Sequence, residues 1–302
     1  MKYIITGSLG NISLPVTNNL VKAGHDVTVI SSSADKKSDI EALGAKAAIG
    51  SATDRAFVKE TFKDAEVAYL MIPSSFALTD YAKFQHEVAD AYIEALSGSS
   101  ITHVVVLSSL GAQLRQGAGP INALGYLEEK LLALPGLHLS FLRPSYFFSN
   151  LFSQAGLIQH AGIMGSNFGD TDEKLVLVHT DHIAEVATEH LLNLFTGRSI
   201  TNIANDERHP SEIATLLGKA AGKENTPWIT FTDEQATEGA LGAGLNQSFA
   251  SLYTEMGQAL RSGKMQEEYW KNRPETFGSY KLEDFAKEFA GLLQQDLEVE
   301  EK

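Results

Sequence analysis

The sequence contains no cysteine. That removes disulfides, thiolate nucleophiles and Cys-based metal sites in one step. No apolar run approaches the roughly 20 residues that a membrane-spanning helix needs. No group of His, Asp and Glu falls at metal-ligand spacing, so no metal is expected. There is no Gly-x-Ser-x-Gly elbow of the kind a serine hydrolase uses, and no lysine follows the first glycines as in an ATP-hydrolysing phosphate loop. Cations are scarce too: 24 Lys and Arg stand against 38 Asp and Glu, a formal net charge of -14. Such a chain repels nucleic-acid phosphates, which argues against direct DNA or RNA binding. The first strand begins almost at once and leaves no room for a signal peptide, so the cytoplasm is the expected location. The remainder is an ordinary globular composition, 302 residues with 43% hydrophobic and 21% charged. It is long enough for one large domain or two modest ones.

The most informative stretch runs from Lys2 to Ile30. Lys2-Tyr3-Ile4-Ile5 is a short apolar run suited to a buried parallel strand. Thr6-Gly7-Ser8-Leu9-Gly10-Asn11-Ile12-Ser13 follows, with glycines at 7 and 10 where a backbone must turn tightly and approach a pyrophosphate. Ile12, Val16 and Leu20 then lie on one helical face. Pro15 is tolerated in the first turn, Gly24 is a stop, and Val27 to Ile30 returns as a second strand. A helix opening from a glycine turn concentrates free N–H groups and positive dipole at one point, which suits the pyrophosphate of a dinucleotide.

The alternation continues. Ala45–Ile49, Val67–Ile72, His103–Leu107 and Leu137–Leu142 read as strands. Arg55–Phe62, capped by Asp54, Tyr81–Leu96 and Ile121–Leu134 read as helices. The predicted fold class is α/β, a doubly wound parallel sheet of the Rossmann type. A smaller C-terminal substrate lobe follows. The expected division is residues 1–150 for the nucleotide-binding domain and 151–293 for the lobe, with some segments returning to the sheet. A frayed acidic tail is expected over 294–302. In the lobe, Asp181–Phe195, Ser211–Ala221 capped by Ser211, Asp233–Leu241, Asn246–Ser262 and Leu282–Leu293 read as helices. Ligands in such sheets bind beyond the carboxyl ends of the strands. Here those ends are Thr6-Gly7, Ser31–Ser33, Pro73–Phe76, Ser108–Gly111 and Arg143–Phe148.

Three of these ends carry a resemblance. Ile5-Thr6-Gly7-Ser8-Leu9-Gly10-Asn11-Ile12, Val105-Val106-Leu107-Ser108-Ser109-Leu110-Gly111-Ala112 and Leu142-Arg143-Pro144-Ser145-Tyr146-Phe147-Phe148-Ser149-Asn150 resemble signatures of the NmrA-like family, atypical short-chain dehydrogenases. Val178 to Ala187 is similar to that family's later helix entry. The resemblance implies a Rossmann-type domain that binds NAD(P), with a small substrate lobe. It implies either an NADPH-dependent quinone or isoflavone-type reductase, or a regulator that binds the nucleotide without catalysis.

The residues expected to hold the nucleotide are Gly7, Ser8, Leu9, Gly10, Asn11 and Ile12 from the turn. Ser31, Ser32, Ser33 and Lys36 follow the second strand, Ile72, Pro73 and Ser74 the fourth, Ser108 the fifth, and Tyr146 and Phe147 the sixth. An acid closing the second strand would bind the ribose hydroxyls of NAD and repel a 2′-phosphate. Ser31-Ser32-Ser33 with Lys36-Lys37 instead offers hydroxyls and ammonium groups, so NADP is preferred, with NAD left open. The arginine that many relatives place after this strand is absent. So is an adenine-contacting Asp at position 51, which is Ser51.

For catalysis, Tyr126-Leu127-Glu128-Glu129-Lys130 has the Tyr-x-x-x-Lys form of short-chain dehydrogenases. An ammonium one turn away would lower the phenol's pKa from about 10, and Ser109 would add a hydrogen bond to a carbonyl oxygen. The register opposes this assignment. If Glu129 is matched to the acid that commonly ends this helix in the superfamily, the usual Tyr and Lys fall at Ile121 and Gly125, five residues earlier and about 7.5 Å away along the axis. The dyad Tyr126/Lys130 with Ser109 therefore stands as a candidate beside the reading that it is a surface pair. His179 and His182 read as capping or packing residues, and Arg143 as a brace for the strand exit.

Two functions follow. One is an NAD(P)H-dependent oxidoreductase that passes hydride to a quinone, enone or activated carbonyl, with a small-molecule electron acceptor as its partner. The other is an NADP(H)-sensing regulator that acts through a protein partner. A sugar-nucleotide epimerase relative is a third and weaker reading, and homo-oligomerisation is left open.

Overall fold

The strands of the first half are Lys2–Ile5 (β1), Asp26–Ser31 (β2), Lys46–Ile49 (β3), Val67–Leu70 (β4), His103–Leu107 (β5) and His138–Pro144 (β6); β1, β2 and β5 are rich in β-branched residues, and the middle strands are buried along nearly their whole length. Together with a seventh strand from the lobe they form one parallel sheet. This computed structural model describes residues 1–75, 78–170 and 172–300, with 294–300 by backbone alone. Between the strands run α1 (Ser13–Lys22), α2 (Lys37–Ala42), α3 (Arg55–Phe62), α4 (Tyr81–Leu96) and α5 (Asn122–Ala133). The lobe then adds β7 (Tyr146–Phe147), α6 (Ala155–Ala161), β8 (Met164–Ser166), β9 (Leu175–Val178), α7 (Thr180–Leu192), β10 (Arg198–Ile203), β11 (Asp206–Arg208), α8 (Pro210–Ala220), β12 (Trp228–Thr230), α9 (Asp233–Gly242), α10 (Gln247–Arg261), α11 (Glu267–Lys271) and α12 (Leu282–Glu300).

The sheet order is β10-β6-β5-β4-β1-β2-β3. The order reverses at β1, whose neighbours are β2 on one side and β4 on the other. That reversal opens a crevice at the carboxyl ends, where doubly wound sheets bind ligands. One face of the sheet is sealed by α3, α4 and α5, through Val58, Phe62, Val88, Tyr92, Leu127 and Leu131. The other is sealed by α1 and α7, through Val16, Leu20, Ile183 and Leu191. A third cluster fills the lobe, where Phe148, Leu217, Leu260, Phe285 and Phe289 meet. Among the described residues no helix is long and apolar enough to cross a membrane.

Helix starts follow their capping chemistry. Asp54 accepts from the Ala56 and Phe57 N–H groups at 3.0 and 3.1 Å, as the sequence predicts. The helix expected to start from a Ser211 cap starts one residue earlier, because Pro210 takes the first helical position, which suits its fixed φ. The Ser211 N–H instead donates to Asp170 at 3.2 Å. α12 runs to Glu300 rather than stopping at Leu293: Gln294 to Glu300 contains no Gly or Pro to end it.

Tyr69 on β4 is fully buried, and its hydroxyl has no hydrogen-bond partner among the described residues. An unpaired buried hydroxyl costs about 1–3 kcal/mol. Tyr69→Phe is therefore expected to raise the melting temperature by a few degrees in a thermal scan. A lower melting temperature would mean that the hydroxyl has a stabilising partner.

Candidate functional site

At the crevice lies a cavity of about 440 Å³, walled by the glycine turn, the ends of β4, β5 and β6, the start of α5, and α10 of the lobe. Its floor is held from beneath. Thr6 Oγ1 accepts from the Met71 N–H at 2.7 Å, and the Tyr92 hydroxyl donates to the Met71 carbonyl at 3.1 Å. These bonds pin the end of β4 beside the glycine turn.

The turn has the shape that a pyrophosphate needs. Gly7 sits at φ +89, and a Cβ there would meet Ser13 Oγ at 2.7 Å and the Met71 side chain at 2.8 Å. Ser13 stands where the fingerprint has its third glycine. Its hydroxyl donates back to the Thr6 carbonyl at 2.9 Å, which folds it away from the opening. Gly10, Asn11, Ile12 and Ser13 all line the cavity. The Gly10 N–H closes the turn on the Gly7 carbonyl at 3.2 Å, while the N–H groups of Asn11, Ile12 and Ser13 open the helix and can meet an anion. A Cβ on Gly10 would already touch the Gly7 carbonyl at 3.2 Å. The residues present therefore fit a dinucleotide phosphate.

The residues expected at the nucleotide divide into two groups. Gly7, Gly10, Asn11, Ile12, Ile72, Ser74, Ser108, Tyr146 and Phe147 line the cavity. Ser8, Leu9, Ser31, Ser32, Ser33, Lys36 and Pro73 do not. Ser8, at φ +55, donates its hydroxyl to Ser31 Oγ at 2.9 Å, and Ser31 Oγ in turn accepts from the Ser33 N–H at 3.2 Å. These hydroxyls brace the loop after β2. Ser32 and Ser33 are exposed there, and Lys36 makes only a surface pair with Asp39 at 3.4 Å. Phe76, the last residue of the expected strand end, lies outside the described residues.

The catalytic candidates part company. Ser109 lines the cavity, its hydroxyl donating to the Leu110 carbonyl at 3.0 Å. Tyr126 and Lys130 are not in the wall. The Tyr126 hydroxyl points the other way and donates to Asp90 Oδ1 at 2.8 Å. Lys130 Nζ lies 5.2 Å from the centre of the Tyr126 ring. The hydrogen bond to Asp90 pushes the Tyr126 phenol up, with burial adding to it, the reverse of the lowering that the Lys130 ammonium would have to give in a Tyr-x-x-x-Lys dyad. The residues of this segment that face the cavity are Pro120, Ile121 and Leu124, and none can carry a proton. Tyr126→Phe is accordingly expected to leave turnover within about threefold of wild type in a steady-state assay. A loss of 100-fold or more, the scale of general acid catalysis, would reinstate the dyad.

Of the two adjacent acids, Glu129, the one used to set the register, is at the surface, and Glu128 is the buried one. Glu129 pairs with Arg115 at the surface, 2.7 Å apart. Glu128 is buried and meets Arg143 Nη2 at 2.6 Å and Nε at 3.0 Å. It also accepts from the Ser108 hydroxyl at 2.5 Å. Arg143 additionally contacts Glu268 of α11. Arg143 thus braces the strand exit, as its sequence position suggests. His179 caps α7, its Nδ1 accepting from the Asp181 N–H at 3.2 Å, and His182 Nδ1 lies 3.1 Å from Asn205 Oδ1. Among the described residues no group of His, Asp and Glu could hold a metal ion.

Sequence reasoning missed the upper wall: Tyr81 and Gln85 of α4, and Met256, Leu260 and Met265 of the lobe. Spacing marks these as apolar helix faces but does not say which cavity they reach. No Asp, Glu, Lys, Arg or His is found among the described lining residues.

Residues 7–150 match the sequence profile of the family described as NAD(P)H-binding. No curated protein matches the chain in sequence. Among solved structures, a nucleoside-diphosphate-sugar epimerase from Staphylococcus aureus superposes with a TM-score of 0.77 at 16% identity, over 95% of this chain and 100% of that one. Triphenylmethane reductase of Citrobacter sp., complexed with NADP(H), gives 0.75 at 16% identity, over 95% and 99%. An NADPH-dependent quinone oxidoreductase of Escherichia coli, complexed with NADPH, gives 0.73 at 17% identity, over 98% and 99%. At these identities the likeness shows the fold, which agrees with the doubly wound reading of the strands. With the glycine turn, the crevice and the profile in agreement, residues 7–150 of this chain are an NAD(P)H-binding domain of Rossmann fold.

Proposed function

We propose that the protein is an NADPH-dependent reductase of neutral, flat, electron-poor acceptors, such as quinones or activated carbonyls and enones. One observation carries this reading. The cavity that begins at the phosphate turn ends against Tyr81, Leu110, Ile121, Tyr146, Phe147 and Met256, with no charged side chain among its described lining residues. A sugar-nucleotide substrate would bring a second diphosphate and need cations to receive it, so the chemistry of the wall disfavours an epimerase. Two of the superposed structures are named as reductases of a dye and of quinones, and they support the same class.

In this reading the amides of Asn11 to Ser13 hold the pyrophosphate. Ser32, Ser33 and Lys36 receive the 2′-phosphate, with no carboxylate at Ser31–Ser33 to repel it. When bound, the reduced nicotinamide supplies a hydride. Ser108 and Ser109 border the space above the sheet, while the aromatic and Met side chains orient a flat acceptor and exclude water. For an electron-poor acceptor, positioning and a dry site supply most of the rate.

Purified protein with NADPH and a panel of quinones and enones, followed by nicotinamide absorbance, tests this. NADPH oxidation well above background, weaker with NADH, is the expected result. Tight NADPH binding with no turnover on any acceptor would favour the sensing regulator.

A further inference from the structure

With Tyr126 turned toward Asp90, the cavity needs another source for the proton that a reduced carbonyl takes up. Tyr146 and Tyr253 stand side by side with their hydroxyl oxygens 3.2 Å apart. Tyr146 follows the β6 exit directly and lines the cavity, whereas Tyr253, on α10, lies behind it and is outside the lining. Two hydroxyls carry two protons, and a bond between them uses one. When Tyr253 donates to Tyr146, the Tyr146 proton has no acceptor among the described residues, and Tyr146 is the member of the pair that borders the cavity.

The Tyr146 ring is also held in place. β7 pairs with β9 in the register Tyr146 to Leu177, and Phe168 packs edge-on with ring centres 6.0 Å apart. We infer that the Tyr146 hydroxyl is the proton donor to the acceptor's carbonyl oxygen, and that Tyr253 is the positioning residue that orients it and restores its proton. This rests on the reductase reading.

The balance is simple. The carbonyl carbon gains a hydride with its electron pair from the reduced nicotinamide, which is thereby oxidised, and the C=O π pair moves to oxygen. That oxygen takes the Tyr146 proton, Tyr146 takes the Tyr253 proton, and Tyr253, partly exposed, takes one from solvent. The carbonyl leaves as an alcohol. Burial pushes both phenols up, so the pair stays protonated at neutral pH and gives its proton only to a stronger base. An alkoxide is such a base. The oxygen of a reduced quinone is itself phenolate-like and gains much less. The donor therefore matters for aldehydes and ketones and little for quinones.

The test compares wild type, Tyr146→Phe and Tyr253→Phe with NADPH and two acceptors, a para-quinone and an aromatic aldehyde, alongside NADPH affinity and melting temperature. Tyr146→Phe is expected to lower kcat on the aldehyde by about 100-fold and on the quinone by less than about tenfold, a contrast read on one variant at saturating NADPH and so independent of its coenzyme affinity. Tyr253→Phe is expected to lower the aldehyde kcat by roughly tenfold with KM unmoved, a split that a purely structural role would not give. Retention of the aldehyde kcat in Tyr146→Phe within about twofold, or equal losses on both acceptors, overturns the assignment. So does a wild-type enzyme that reduces quinones but no aldehyde or ketone. A wild type inactive on every acceptor refutes the reductase reading itself, and the donor role with it.

Discussion

Replacing Gly10 with Val is expected to weaken NADPH binding by more than 100-fold, about 3 kcal/mol, while the protein stays folded. Gly10 lies in the wall of the cavity, and the Cβ position is already 3.2 Å from the Gly7 carbonyl. Its backbone does not need a positive φ, so a side chain can be built there without the strain that Gly7 would suffer. Apart from that carbonyl and the adjacent residues no atom lies within 4 Å of the Cβ position, so the protein accommodates the methyl groups while they compete with the anion at the turn. The result is read by fluorescence titration with NADPH alongside a thermal scan. Unchanged affinity would show that the phosphates lie elsewhere; lost affinity with a collapsed melting temperature would show only that the turn cannot carry a side chain. Gly10→Ala, with the smaller side chain, should fall between the two.

Replacing Arg143 with Met is expected to destabilise the protein by about 3–5 kcal/mol, the cost of leaving a buried carboxylate without its cation. Arg143 and Glu128 are 5% and 7% exposed, and the pair draws in Ser108 at the cavity edge and Glu268 of the lobe. Glu268, at 27% exposure, can turn to water when its partner is lost; Glu128 cannot. The double variant Arg143→Met/Glu128→Leu should recover much of the loss, because a buried ion pair often contributes little beyond an apolar pair of similar volume. Urea unfolding of the three variants measures the coupling. A cost below about 1 kcal/mol for Arg143→Met would mean that Glu128 finds water or a proton more readily than its burial indicates.

The nucleotide half was legible because its signals are local. A β-branched run, two glycines three residues apart and a 3.6-residue stripe over Ile12, Val16 and Leu20 need no knowledge of distant chain, and all three side chains of the stripe are buried. The lobe's helices over 180–192, 210–220, 233–242 and 247–261 were legible on the same grounds, whereas its shortest strands were not, for the opposite reason. β7, β8 and β11 are two or three residues long and gain their identity by pairing with remote partners: β8 with β12, and β9 with both β7 and β11. Helix α5 lies between these cases. Glu128 and Glu129 are adjacent, and only Glu128 is buried. The periodicity already held the answer, since Leu124, Glu128 and Leu131 follow the inward spacing and Tyr126 with Lys130 falls outside it. The loop after β2 illustrates a further limit. Its serines were read as ligand groups, and Ser31 turned out to spend its hydroxyl on Ser8 and Ser33, a contact between segments that no spacing rule reveals.

A crystal structure of the protein soaked with NADPH tests the central claim most directly. The account predicts the pyrophosphate within hydrogen-bond distance of the N–H groups of Asn11 to Ser13, and the nicotinamide ring in the cavity beside Ser108, Tyr146 and Phe147. Density for the coenzyme elsewhere, or a cavity that stays empty at saturating NADPH while another molecule fills it, would contradict it.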